Sequence, residues 1–192
     1  MIPAVIMTCP ALNRDVAPIL AKVPDAIIWN TEHLPEQHEG LRRGLARVAE
    51  MARRLGWPAA WILEDDCQFT EHFDRARFES DAAWAFLHGY TLLNGGVFSA
   101  ANPRPVREGL VAVDRFKSSH CIVVHHSAYD VLERLGYPAD VTMGTLGAKS
   151  VVTVPFVAVQ GAVHSGHLDR QTDFRARYAQ TEASLRQIAR AA

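Results

Sequence analysis

Apolar positions in the first third of the chain fall alternately into short runs and into stripes of three- and four-residue spacing. Ala4 to Met7 is an apolar run closed by Thr8, Cys9 and Pro10, which predicts a strand. Asn13 or Asp15 can cap a short helix running to about Lys22. Ala26-Ile27-Ile28-Trp29, closed by Asn30 and Thr31, predicts a second strand. Leu41, Leu45, Val48, Met51, Ala52 and Leu55 then mark one face of a helix, stopped by Gly56 and Pro58. Ala59-Ala60-Trp61-Ile62-Leu63 is uninterrupted, as in parallel strands covered on both faces. Alternating strand and helix predicts an α/β layer built on a parallel sheet.

The second half is less regular. Ala82 to Leu87 reads as a strand, and Asn94-Gly95-Gly96 and Asn102-Pro103 mark turns. Gly109 to Val113 and Ser119 to Val124 read as strands, and Ser127 to Leu135 as a helix ended by Gly136. Val151–Val154 and Phe156–Gln160 are strand pieces around Pro155, which implies an edge or a bend. From Thr172, the set Phe174, Tyr178, Leu185 and Ile188 fits a final helix docked on the body. With no internal repeat and no linker, one domain is expected.

Composition narrows the function classes. At 192 residues and 48% hydrophobic, the chain has enough apolar material for a core and is no disordered segment. A formal charge of -1 provides no global basic field for nucleic acid or an anionic membrane. Cys9, Cys67 and Cys121 are widely spaced with no CxxC, which argues against a disulfide framework or zinc knuckle and for a reducing compartment. The N-terminal MIPAVIMTCPAL lacks the layout of a signal peptide, and Val151–Val159 is too short for a membrane span. A cytoplasmic protein is expected. The first glycine is Gly40, so the turn after the first strand carries neither a dinucleotide fingerprint nor a phosphate-cradling loop.

The sharpest chemical feature is Glu64-Asp65-Asp66, directly after the apolar Trp61-Ile62-Leu63. It falls at the strand end where open α/β sheets bind ligands. If the chain stays extended, Glu64 and Asp66 point one way and Asp65 the other. Adjacent anions at a partly dry edge repel unless a cation or strong donors neutralise them. Mg or Mn accepts such oxygen ligands and leaves positions for substrate phosphates.

The segment Trp61-Ile62-Leu63-Glu64-Asp65-Asp66-Cys67-Gln68-Phe69 resembles the acidic "LEDD" motif of glycosyltransferase family 25, which includes lipopolysaccharide and collagen galactosyltransferases. Ser118-Ser119-His120-Cys121-Ile122-Val123-Val124-His125-His126-Ser127-Ala128-Tyr129 is similar to that family's strand entering a helix. Asp140, after Pro138, stands where the family places an aspartate, and Gln160 with Ser165 resembles its closing segment. The chain departs from the pattern at Glu39-Gly40-Leu41-Arg42 and at Ser165-Gly166-His167. The resemblance implies a GT-A-like, Rossmann-like α/β fold with a mostly parallel sheet flanked by helices. Residues 1–100 would form the nucleotide-sugar half, 101–170 the acceptor half completing the metal site, and 172–191 a C-terminal helix.

The activity implied is transfer of a sugar from a nucleotide-diphosphate donor, a UDP-sugar, to a hydroxyl on a glycan, protein or modified nucleobase. Glu64 and Asp66 would hold Mn or Mg, with His164 preferred over His167 to complete the ligands, and Asp140 would act as base. Thr8, Arg14, Asn30, Arg43, Asp65, Gln160 and Ser165 are the candidate substrate-binding residues. His120, His125 and His126 do not form a zinc site or a triad, since His120 and His125 would face opposite sides of a strand and no nucleophile elbow is present. The competing readings are a non-catalytic nucleotide-sugar-binding or interaction protein of degenerate GT-A fold and a sugar-phosphate nucleotidyltransferase. The glycine-free stretch Met7–Arg14 argues against the last.

Overall fold

The strands of the central sheet are apolar on both sides because both faces are covered. Along β1 (Ala4–Thr8), Val5 and Met7 enter one core cluster, and Ala4 and Ile6 the other. Along β3 (Ala59–Glu64), Ala60 and Ile62 alternate in the same way with Ala59, Trp61 and Leu63. The computed structural model describes residues 1–32, 37–161, 163–165 and 170–190, with the backbone alone for 37, 38, 163–165 and 170–172.

In chain order, α1 (Ala17–Leu20) and β2 (Ile27–Asn30) follow β1, and α2 (Gln37–Arg54) leads into β3. Next come β4 (Cys67–Phe69), α3 (Arg75–Leu87), β5 (Leu92–Asn94), β6 (Ser99–Ala101), β7 (Arg104–Arg107), β8 (Leu110–Val113) and β9 (Arg115–Lys117). The rest is β10 (Cys121–His125), α4 (Tyr129–Glu133), α5 (Ala139–Thr145), β11 (Ser150–Thr153), β12 (Ala158–Gln160), β13 (Val163–Ser165), β14 (Arg170–Thr172) and α6 (Arg175–Ala189). Eight strands form one sheet in the order β2-β1-β3-β10-β5-β11-β8-β7. Strands β2, β1, β3, β5, β11 and β7 run one way, and β10 and β8 the other. Helices α2, α4, α5 and α6 cover one face, and α1 and α3 the other. This is the single-domain α/β layer with a mostly parallel sheet flanked by helices that the alternating pattern predicts.

Several local expectations are corrected. Ala82–Leu87 is not a strand but the end of α3. Asp74 caps that helix by accepting the Arg77 N–H at 2.9 Å, and Phe78, Ala82 and Ala85 form its buried stripe. Buried Asp81 breaks the apolar pattern and pairs with Arg107 at 2.6 Å. The last helix starts at Arg175, because Thr172 belongs to β14. The strand expected from Ser119 starts at Cys121, and Ser118 just before it has φ +109°. Leu55 lies beyond α2 and is 59% exposed, so the helix stripe ends at Ala52.

A short antiparallel ribbon adds what a plain α/β layer lacks near the acidic strand end. Asp65 and Asp66 form a turn after β3, and β4 then pairs with β12, setting Gln160 opposite Cys67. The bend expected at Pro155 lies between β11 and β12. Gly95 and Gly96 permit this approach: Gly95 O accepts the Val157 and Ala158 N–H groups at 2.8 and 3.1 Å. A Cβ on Gly96 would lie 2.1 Å from the Ala158 carbonyl oxygen. Gly96→Ala is therefore expected to displace the β12 backbone and destabilise the fold by roughly 1–3 kcal/mol or more. The check is the urea midpoint; an unchanged midpoint would mean that β12 yields freely.

Candidate functional site

Thr8, Asn30 and Glu64 end the three parallel strands β1, β2 and β3 at the same sheet edge. The antiparallel β10 enters the sheet there, so Ser118–His120 lie beside the acidic turn, and the Glu64 N–H donates to the His120 carbonyl at 2.8 Å. One edge thus combines the C-terminal ends of parallel strands with the N-terminal approach of an opposite one.

The three carboxylates part company. Glu64 accepts the Ser119 hydroxyl at 2.6 Å. Asp65 accepts the Thr8 hydroxyl at 3.0 Å and the Cys9 N–H at 3.1 Å through one oxygen, and bonds Arg14 through the other. Asp66 accepts Gln160 Nε2 at 3.2 Å and pairs with the same Arg14 guanidinium at 3.2 Å. The alternation expected of extended chain therefore does not hold: the backbone turns at Asp65-Asp66, and these two share one guanidinium while Glu64 faces Ser119. Asp140, at the start of α5, accepts the Ser118 N–H at 2.7 Å and its neighbour Val141 N–H at 2.9 Å.

The electrostatics follow from this crowding. Burial, then the charge of Asp66, pushes the Glu64 carboxyl up to about 8, with Ser119 opposing and Asp65 and Asp140 adding to the rise. Burial also raises Asp66, against the pull of Arg14. Asp66 Oδ1 is buried with no hydrogen-bond partner among the described residues. His120 is held neutral by burial, which lowers it to about 4.

Other predicted residues are placed less centrally. Asn30 is exposed at the same edge. Arg43 is exposed on α2, where Glu39 at 3.0 Å and Glu32 at 3.7 Å engage its guanidinium. His164 and Ser165 lie on β13, but their side chains are outside the described residues, and His167 is outside them altogether. Among the described residues, no three His, Cys, Asp or Glu side chains converge as a ready-made metal cage. His120 precedes β10 and His125 ends it, so the two share no site.

The sequence reading missed Ser119 as the partner of Glu64. It also missed a buried cluster below: Ser118 Oγ lies 2.5 Å from His120 Nδ1 and 2.6 Å from the Tyr178 hydroxyl, which is 3.3 Å from Gln160 Oε1. Tyr178 shows in the sequence as one apolar position of a helical stripe, and nothing in that period marks its hydroxyl.

No protein-family profile matches the sequence, and no curated protein matches it. Among solved structures the chain is similar to A197 from STIV, with a TM-score of 0.56 and 14% identity over 83% of this chain and 85% of that one. It is also similar to UDP-glucose pyrophosphorylase complexed with UDP-glucose, with a TM-score of 0.49 and 7% identity over 97% of this chain and 99% of that one. CMP:2-keto-3-deoxy-manno-octonic acid synthetase complexed with CTP gives 0.48 and 9% over 96% and 99%. The likeness to A197 from STIV, at its low identity, speaks for the fold alone. No helix among the described residues is long and apolar enough to cross a membrane.

A carboxyl raised in the folded state binds a proton that the unfolded chain has already released. Stability from Glu64 is thus fully present below its unfolded value and declines as pH rises through about 8. The metal-free protein is expected to lose on the order of a few kcal/mol between about pH 5 and 8.5. Glu64→Gln, whose amide oxygen still accepts from Ser119, should flatten that slope in melting-temperature scans with chelator. An equally steep slope in the variant would remove Glu64 as its source.

Proposed function

We propose that the chain is a metal-dependent glycosyltransferase of the GT-A kind, moving a sugar from a UDP-sugar or similar nucleotide-diphosphate donor to an acceptor hydroxyl. The observation that carries this reading is the charge balance at the strand edge. Glu64, Asp65, Asp66 and Asp140 crowd one edge, the Arg14 guanidinium pairs with Asp65 and Asp66, and Asp66 Oδ1 is buried without a partner among the described residues. That edge fits a hard divalent cation, because such ions take one or two protein carboxylates and complete their shell with substrate phosphates and water. Glu64 and Asp66 would hold Mn or Mg, with His164 the remaining protein candidate.

When bound, the ion would supply positive charge against the departing diphosphate. The chain's own residues do the rest. In an inverting displacement the acceptor oxygen attacks the anomeric carbon, the bond from that carbon to the diphosphate oxygen breaks, and the hydroxyl proton passes to Asp140. The backbone N–H groups of Ser118 and Val141 each hold one Asp140 oxygen and fix the direction of the carboxylate, as a base requires. Thr8 and Asn30 border the place for the nucleoside, and Arg14 is within the same edge to meet a phosphate. Asp65 already receives Thr8, Cys9 and Arg14, so we assign it to holding the β1 turn and the arginine, with a sugar or ribose contact secondary.

The β1 turn also favours sugar transfer over nucleotidyl transfer. A triphosphate bound at this edge would need close backbone N–H groups after β1. That turn is a 3-10 turn over Pro10–Leu12 with no glycine, and Pro10 has no N–H.

Thermal shift with UDP-sugars in Mn, Mg or chelator tests the reading. A donor that raises the melting temperature with metal and fails to with chelator is expected. Asp66→Asn should reduce transfer by at least about 100-fold while the protein stays folded. Full transfer by Asp66→Asn would sink the metal assignment, and nucleotide binding indifferent to metal with no turnover would favour a non-catalytic binding protein.

A further inference from the structure

We propose that Tyr178 is a positioning residue that fixes Asp66 and Asp140 relative to each other through Gln160 and Ser118. This rests on the reading of those two carboxylates given above. Tyr178 enters from α6, far along the chain from the acidic turn, and is 1% exposed. Its ring meets Phe98, Phe156 and His120 edge-on, with centroids 5.8, 6.2 and 5.5 Å away. Ring packing sets where the hydroxyl stands. The hydroxyl contacts Gln160 Oε1 at 3.3 Å, Ser118 Oγ at 2.6 Å and His120 Nδ1 at 3.1 Å.

Proton counting gives these contacts a direction. The Asp66 carboxylate and Gln160 Oε1 can only accept, so Gln160 Nε2 donates to Asp66, and the contact between Tyr178 and Gln160 is a hydrogen bond only with Tyr178 as its donor, the direction the proposal takes. With its proton spent there, the Tyr178 oxygen accepts from the Ser118 hydroxyl, and the Ser118 oxygen accepts from His120 Nδ1–H. A neutral His120 protonated at Nδ1 leaves Nε2 bare; Nε2 has no hydrogen-bond partner among the described residues, while the Ala158 carbonyl acts on the ring as an acceptor. The chain therefore runs His120 to Ser118 to Tyr178 to Gln160 to Asp66, each bond polarising the next toward the anion.

The second arm starts at the same serine. The Ser118 N–H donates to Asp140 at 2.7 Å, and Ser118 holds φ +109°, a backbone state a serine keeps only when its surroundings impose it. The Ser118 side chain, clamped between Tyr178 and His120, is what the structure offers to impose it. Removing the Tyr178 hydroxyl would release both arms at once: Gln160 loses its donor, and Ser118 loses the acceptor that orients it.

Tyr178→Phe keeps the ring and removes the oxygen. In ligand-free protein labelled with nitrogen-15 at histidine, wild-type His120 is expected to show a protonated Nδ1, and Tyr178→Phe a mixed or Nε2-protonated ring. Transfer kcat is expected to fall about 10- to 100-fold, and Mn affinity by a similar factor, as for loss of an outer-shell partner. Donor KM should change less than about threefold. Val48→Ala, which opens a cavity in the core under α2 and cuts no link of the chain, should lower the melting temperature and leave the His120 ring signals and kcat in place. An unchanged His120 tautomer in Tyr178→Phe, or a wild-type ring protonated at Nε2, overturns the proposal. If wild type neither binds Mn nor transfers sugar, the functional reading fails and the nitrogen spectrum alone decides the hydrogen-bond chain. Should Tyr178→Phe not fold, Gln160→Leu cuts the same chain on another element and is read by the same tautomer shift.

Discussion

The placing of two carboxylates, Glu64 and Asp66, in a largely dry strand end is the constraint on which the rest of the structure turns. Two unit charges about 5 Å apart at an effective dielectric near 20 interact by ~3 kcal/mol. That is a sizeable share of a domain's total stability of about 5–15 kcal/mol. Here Asp65 and Asp140 lie close enough to add to the repulsion on Glu64. The surroundings answer group by group: Ser119 donates to Glu64, Arg14 spans Asp65 and Asp66, and Gln160 donates to Asp66. What is left over is visible as a raised Glu64 and an Asp66 oxygen with no hydrogen bond among the described residues. That remainder is what the proposed cation would answer.

Topology explains why these partners are available. In a purely parallel sheet, the edge beyond Glu64 would hold only the C-terminal ends of neighbouring strands. Inserting β10 antiparallel between β3 and β5 brings the residues that precede a strand to that edge, so Ser118 and Ser119 arrive as hydroxyl and amide donors. The β4–β12 ribbon then folds over the turn and delivers Gln160. Gly95 and Gly96 are the local cost of that delivery, since β12 passes where any side chain on Gly96 would stand.

Where burial and period agree, the fold was legible. The Ala59–Leu63 run is buried on both faces as its lack of polar interruption implies, and Leu45, Val48 and Ala52 pack as their spacing implies. Residues whose role depends on a partner distant in sequence were not legible. Asp81 broke the apolar pattern of α3 because it is paid for by Arg107, an ion pair no window along α3 contains. Arg14 stood among the candidate substrate-binding residues by its position after β1, and its engagement with Asp65 and Asp66 follows only from the register of β1 against β3. The acidic triplet itself stood out because three charges directly after a buried strand are costly wherever the chain goes next. The direction each would face was not legible, since it depends on a turn at Asp65-Asp66 that an extended-strand argument leaves out.

The position of Tyr178 carries this one step further. A strand end can set the spacing of Glu64, Asp65 and Asp66 from local geometry alone, but Asp140 belongs to α5 and has no backbone pairing with β3. Some other element must fix the distance between Asp140 on a helix and the carboxylates at the sheet edge. The Ser118 N–H reaches Asp140, and the Ser118 side chain reaches Tyr178, which reaches Gln160 and through it Asp66. Helix α6 packs on the same apolar cluster as α2, α4 and α5, so its register is set by core packing rather than by the polar groups it serves. The hydroxyl at Tyr178 is thus held by apolar contacts and spent on polar ones, which is how a buried network keeps its geometry when the charge at its far end changes.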